Sequence, residues 1–179
     1  NLCGYSMGGR LAFSFACEFP QIVNRLISES STPGIRDETE RKKRAEEDKL
    51  ICVKIKNDYP TFIKDWCDNQ LFENQKDRNL SGWEAQQKIR LDQNIEQLSL
   101  SLQFLGTGQM PSLWSKFSNL QSSVMLITGS EDSKYCRIST ECLLEIPDCK
   151  WVNISNCGHN VHLEQSTQFI ESIKSFLRS

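Results

Sequence analysis

A chain of 179 residues, 38% hydrophobic and 25% charged, is large enough for one domain with a sizeable core and has the composition of an ordinary globular protein. Its net charge of −2 comes from acids and bases mixed along most of the sequence. That balance excludes the electrostatic footprint of a nucleic-acid partner or of an anionic membrane surface, and no apolar run reaches the length of a membrane span.

Asn1-Leu2-Cys3-Gly4 reads as the last turn of a strand. It is not a natural start, because no initiator Met, signal or transit segment precedes it; the expectation is a fragment whose N-terminal strands are missing. Leu11 to Phe19 is apolar and small and follows a glycine-rich turn, so it reads as a buried helix. Val23 to Ile27 reads as a short strand closed by Ser-Ser-Thr-Pro-Gly at 30–34. The segment Asp37 to Asp48 is dense in charge and has helical propensity, with Asp37 as N-cap and Glu40 completing a capping box. Lysine- and aromatic-bearing segments follow around 54–72, and two helical patterns at about 81–104. Because strand-like patterning resumes only at Ser123, residues 35–122 read as a helical cap inserted between two core segments, 1–34 and 123–179.

Val124 to Thr128 is a continuous apolar run, as a strand buried on both faces would be. Ser139 to Ile146 reads as a helix and Lys150 to Ile154 as a strand. Glu164 to Leu177 places Phe169, Ile170, Ile173, Phe176 and Leu177 on one face of a final helix. Strand, helix, cap, strand, helix, strand, helix is the later half of a doubly wound, mostly parallel α/β sheet. None of the eight cysteines forms a C-x-x-C pair, so neither a zinc site nor a redox motif is indicated. Scattered through apparent helices and strands, they read as thiols of a reducing compartment, the cytoplasm or, for a plant or alga, a plastid.

Three short motifs carry chemistry. Gly4-Tyr5-Ser6-Met7-Gly8 is G-x-S-x-G between a strand stub and a helix, the context of a nucleophile elbow. There the helix N-terminus supplies positive potential, and the Met7 N–H can stabilise an oxyanion. Gly129-Ser130-Glu131-Asp132 puts an acid at the carboxyl end of the Val124 strand, where it can orient a histidine; Asp132 is preferred over its neighbour Glu131. Asn156-Cys157-Gly158-His159-Asn160 places one of only two histidines, the other being His162, in a strand-to-helix loop suited to a general base. Each motif has a bland alternative: a glycine turn with an idle serine, a helix-capping acid, a surface histidine. Their order decides: Ser6, then Asp132, then His159, each after its own strand, is the triad order of α/β-hydrolases. Arg10, one helical turn beyond Ser6, could face the site mouth. Arg44 and Arg90 fall in the cap, and for each of the three a solvated surface arginine is the competing reading.

With these residues in hand, the chain resembles the 2-succinyl-6-hydroxy-2,4-cyclohexadiene-1-carboxylate synthases of menaquinone and phylloquinone biosynthesis over nearly its whole length. The residues that carry the resemblance are Gly4 to Arg10 (GYSMGGR), Ser31 to Ile35 (STPGI), Gly106 to Trp114 (GTGQMPSLW), Gly129 to Lys134 (GSEDSK) and Gly158 to Glu164 (GHNVHLE). The resemblance implies an α/β-hydrolase fold with a helical cap and a lyase that eliminates pyruvate without metal, cofactor or hydrolysis. The implied substrate is a small polycarboxylate. It further implies that Ser6, activated by His159 and Asp132, acts as or with the base, while Tyr5, Met7, Arg10, Arg44, Trp66 and Arg90 line the site and the arginines hold carboxylates. The family's second oxyanion donor lies upstream of the elbow, so the fragment reads as lacking it. A carboxylic ester or thioester hydrolase with the same triad is the rival reading, and an inactive fragment or binding module a third. A dehalogenase is disfavoured because the elbow residue is Ser, not Asp. Oligomeric state is not legible.

Overall fold

The computed structural model describes residues 1–178; Ser179, the last residue of the second core segment read from the sequence, lies outside the described residues. The chain divides into two compact units. One comprises Asn1–Pro33 and the chain from Leu113 onward; the other is Gly34–Ser112.

The first unit is built on four parallel strands, β1 (Leu2–Tyr5), β2 (Arg25–Glu29), β3 (Ser123–Gly129) and β4 (Cys149–Ile154), in the order β1-β2-β3-β4. Helix α1 (Met7–Glu18) connects β1 to β2, and helix α7 (Ser133–Glu145) connects β3 to β4. After β4 come a single-turn helix α8 (Val161–Glu164) and helix α9 (Ser166–Arg178).

Successive side chains of a strand point to opposite faces, and both faces here are apolar. Leu26, Val124 and Leu126 pack with Phe13 and Ala16 of α1 and Cys142 of α7. Their neighbours Ile27, Met125 and Ile127 pack on the other face with Val161 of α8 and Phe176 of α9. This is why Val124–Thr128 lacks any polar alternation: a strand covered by helices on both faces has no side for water. The sheet is doubly wound.

The second unit is helical: α2 (Glu38–Asn57), α3 (Tyr59–Cys67), the short α4 (Gln75–Arg78), α5 (Leu80–Leu91) and α6 (Ile95–Leu105). Asp37 caps α2, its Oδ1 accepting from the Glu40 N–H at 2.8 Å. Ile55, Tyr59 and Ile63 form a small core with Ile51, Leu98 and Leu102, which ties α2 and α3 to α6.

Several boundaries differ from those read in the sequence. The stretch before β3 belongs to the first unit, because Leu113, Trp114, Phe117 and Leu120 pack with Phe13 and Leu26 in its core. α7 begins at Ser133 rather than near Ser139; the Asp132 carboxylate caps it by accepting from the Tyr135 N–H at 3.4 Å. The final helix is broken at Gln165 into α8 and α9. Phe169, Ile173 and Phe176, at i, i+4 and i+7, face the core. Ile170 and Leu177 lie about 100° round the helix and are exposed at 48% and 40%. Among the described residues no helix is long and apolar enough to cross a membrane.

Candidate active site

β1 ends at Tyr5, and the chain turns sharply into α1 at Ser6. Ser6 takes φ 50° and ψ −109°, a backbone conformation that non-glycine residues seldom hold and that surrounding structure must enforce. Two bonds enforce it: the Ser6 N–H donates to Glu29 O of β2 at 2.9 Å, and the Ser31 hydroxyl donates to Ser6 O at 2.7 Å. The turn is also tight enough to demand glycine at position 4, where a Cβ would run into the Gly8 carbonyl. Met7 is the first residue of α1, so its N–H is among the first-turn donors that no carbonyl of the helix can satisfy.

The loops after β3 and β4 meet behind this turn. Gly129 allows the approach, since a Cβ there would overlap the Cys157 and Gly158 carbonyls. His159 lies 3.1 Å from Ser6 Oγ through Nε2 and 2.6 Å from Asp132 Oδ2 through Nδ1. A carboxylate only accepts, so Nδ1 carries the proton and donates to Asp132, which leaves Nε2 as acceptor for the Ser6 hydroxyl. Asp132 and His159 are buried at 6% and 3% exposure, and Ser6 is half-buried. A hydroxyl, an imidazole and a carboxylate in this sequence can move a proton away from Oγ and return it elsewhere. Of the two adjacent acids, Asp132 is the one at the imidazole; Glu131 is exposed. Tyr5 and Tyr135 flank His159, with ring centroids 5.3 and 4.7 Å from the imidazole.

The remaining candidates are distributed as follows. Arg10 lies in the first turn of α1, where its main-chain N–H makes the ordinary helical bond to Ser6 O at 3.2 Å; at 8% exposure it is not the solvated surface arginine of the bland reading. Arg44, Trp66 and Arg90 belong to the helical unit. Arg44 Nε donates to the buried Asp48 carboxylate at 2.7 Å, and that carboxylate also accepts from the Gly108 N–H at 3.3 Å. Trp66 and Arg90 meet at Phe72: the Trp66 ring lies 6.1 Å from it and the Arg90 guanidinium 4.9 Å above it. Arg90 also donates to Gln86 Oε1 at 3.1 Å. Among the described residues no cluster of His, Cys, Asp and Glu is arranged to hold a metal.

Two side chains at this end of the sheet escaped the sequence reading. Glu29, at the end of β2, is 1% exposed and binds His162 through both carboxylate oxygens. Glu164 Oε2 accepts from the Gly158 N–H at 2.8 Å and so braces the loop that carries His159. The spacing Gly158-His159-Asn160-Val161-His162-Leu163-Glu164 holds a signal for the second, a carboxylate one short turn beyond the histidine.

No protein-family model matches the chain. The putative 2-succinyl-6-hydroxy-2,4-cyclohexadiene-1-carboxylate synthase of Bacillus subtilis is 37% identical over 180 residues, which cover 100% of this chain and 66% of that protein. The solved structure of MenH from S. aureus superposes with a TM-score of 0.95 at 31% identity over 99% of this chain and 67% of that one. The chain belongs to the 2-succinyl-6-hydroxy-2,4-cyclohexadiene-1-carboxylate synthase family. It spans about two thirds of the length of such bacterial relatives. The chloroplastic protein PHYLLO of Arabidopsis thaliana also matches, at 28% identity over 99% of this chain and 11% of that much longer protein. A thermophilic esterase from Thermogutta terrifontis, 20% identical, superposes with a TM-score of 0.85 over 99% of this chain and 64% of its own, a likeness of fold alone. The synthase family therefore shares its α/β-hydrolase architecture with hydrolytic enzymes, and the fold does not choose between the two chemistries.

Proposed function

We propose that this chain carries the catalytic part of a pyruvate-eliminating lyase of menaquinone or phylloquinone biosynthesis. The reaction converts 2-succinyl-5-enolpyruvyl-6-hydroxy-3-cyclohexene-1-carboxylate to 2-succinyl-6-hydroxy-2,4-cyclohexadiene-1-carboxylate. The observation that carries the reading is the hydrogen-bonded chain Ser6–His159–Asp132, held at a strained turn in a chain of this family.

The proton removed is the one on the ring carbon bearing the succinyl group, which the adjacent carbonyl acidifies. As the C–H bond breaks, its electrons form a double bond within the ring and the existing double bond shifts by one position. The C–O bond to the enolpyruvyl group then breaks, and the leaving enolate takes a proton to become pyruvate. No water is consumed. Ser6 Oγ, with its proton drawn to His159 Nε2, acts as or with the base. Asp132 keeps the imidazole in the tautomer that can accept that proton and stabilises it once charged. The Met7 N–H lies at the helix N-terminus, suited to the oxygen of the developing enolate. Arg10, in the first turn of the helix behind Ser6, holds a substrate carboxylate, and Tyr5, packed beside His159, lines the site. The substrate is a small soluble molecule, which fits a reducing compartment, cytoplasm or plastid, rather than a membrane.

A carboxylic ester or thioester hydrolase with the same three residues is the reading to be excluded, and the esterase-like fold is what favours it. The test runs pyruvate release from the enolpyruvyl substrate beside cleavage of a neutral chromogenic ester, using the full-length protein. Rapid pyruvate release with slow ester cleavage is expected. Fast ester cleavage with no pyruvate would replace the lyase by a hydrolase.

A further inference from the structure

Glu29 is a costly residue to place where it lies. A carboxylate withdrawn from water loses much of its hydration unless donors surround it, and Glu29 is 1% exposed at the end of a strand buried on both faces. Among the described residues, its donors all come from one residue. The His162 N–H donates to Oε1 at 2.9 Å, and the ring Nδ1–H lies 2.9 Å from Oε1 and 2.8 Å from Oε2. His162 stands three residues beyond His159, in the same loop-to-helix turn.

The main chain of Glu29 serves the other partner. Glu29 pairs in register with Tyr5, and its carbonyl accepts the Ser6 N–H at 2.9 Å. One residue thus holds the serine turn by its backbone and the histidine turn by its side chain. Tyr5 fills the space between, its ring 5.3 Å from His159 and 5.0 Å from His162.

We propose that Glu29 is a positioning residue that sets the Ser6–His159 separation, clamping the serine turn with its carbonyl and the histidine turn, through His162, with its carboxylate. It touches no reacting atom. The inference rests on the reading of Ser6, His159 and Asp132 as the catalytic chain. A neutral amide keeps one good acceptor for the His162 donors, while an apolar side chain of similar size keeps none. The carbonyl that holds Ser6 survives any substitution, so a side-chain change loosens only the histidine side.

The test compares wild type, Glu29→Leu, Glu29→Gln, His162→Ala and Ser6→Ala of the full-length protein. Three readouts are taken: kcat and KM for pyruvate release, the rate at which a fluorophosphonate labels Ser6, and the thermal midpoint. Glu29→Leu is expected to lower kcat and the labelling rate together, by about tenfold to a hundredfold, as for a misplacement of an ångström or less. KM should stay within about twofold, because positioning of the base alone adds little to ground-state binding. Glu29→Gln should recover most of the loss. If Glu29→Leu fails to fold, His162→Ala carries the test, with the same drop in kcat at unchanged KM expected. A folded Glu29→Leu or His162→Ala with wild-type kcat and labelling rate would overturn the proposal. So would a loss of activity that merely tracks the unfolded fraction. If wild type itself is not labelled at Ser6, or Ser6→Ala turns over normally, the catalytic chain fails instead, and the two failures are told apart.

Discussion

Under the proposed function, Arg10 is the single side chain that would separate a lyase for a polycarboxylate from an esterase. A charge-assisted, two-pronged bond to a carboxylate in a desolvated site contributes on the order of a few kcal/mol, so Arg10→Ala should lower kcat/KM for pyruvate release by about a hundredfold. Arg10→Lys should not restore it fully, since a point charge cannot reproduce the planar fork. Cleavage of a neutral ester should hardly change, and an equal loss on both substrates would assign Arg10 to the fold rather than to the substrate. Elsewhere, burial and the neighbouring Asp148 carboxylate push the Cys149 thiol up to about 12. Its thiolate is therefore scarce at pH 8, and iodoacetamide should modify Cys149 far more slowly in the native protein than after unfolding. Rapid native modification, mapped by mass spectrometry, would contradict that. Ser6, Asp132 and His159 could be singled out as candidates because each follows its own strand with a glycine no more than three residues before it. Glu29 was not, because its meaning comes from His162, 133 positions away, and nothing local distinguishes it from a solvated acid.

At the scale of elements, the turn from β1 into α1 is the most demanding. Gly4→Ala would force a Cβ onto the Gly8 carbonyl and is expected to cost about 1–3 kcal/mol of stability as well as displacing Ser6. A folded Gly4→Ala with wild-type activity would show that the turn has slack. Asp37 can be examined separately: Asp37→Ala removes the acceptor for the Glu40 N–H and should lower stability by about 1 kcal/mol, read from the denaturation midpoint. Period and caps made β3, α2 and α9 legible, since an unbroken apolar run, an Asp before a helix and a 3.6-residue stripe are local signals. The start of α7 was missed because Asp132 serves two ends at once, capping the helix through Oδ1 and meeting His159 through Oδ2. The break at Gln165 was missed as well: no proline or glycine marks it, and it is fixed by the buried Glu164 reaching back to Gly158.

For the molecule as a whole, the parallel doubly wound sheet was readable from strands that alternate with helices. The extent of the helical unit was less so, because Leu113 to Leu120 looks like more of the same in sequence and only its packing against Phe13 and Leu26 assigns it to the sheet. The placement of Arg44, Trp66 and Arg90 shows why that unit resists a reading residue by residue. Arg44 is already engaged with Asp48, and Arg90 and Trp66 share the Phe72 ring. The central claim is that Ser6, His159 and Asp132 act together to drive pyruvate elimination. The most direct test is steady-state pyruvate release from the enolpyruvyl substrate by full-length wild type, Ser6→Ala, His159→Ala and the double variant. The account predicts turnover by wild type, loss of activity in each single variant, and a double variant little worse than either, because groups that act as one unit are lost together. Normal turnover by Ser6→Ala would contradict it.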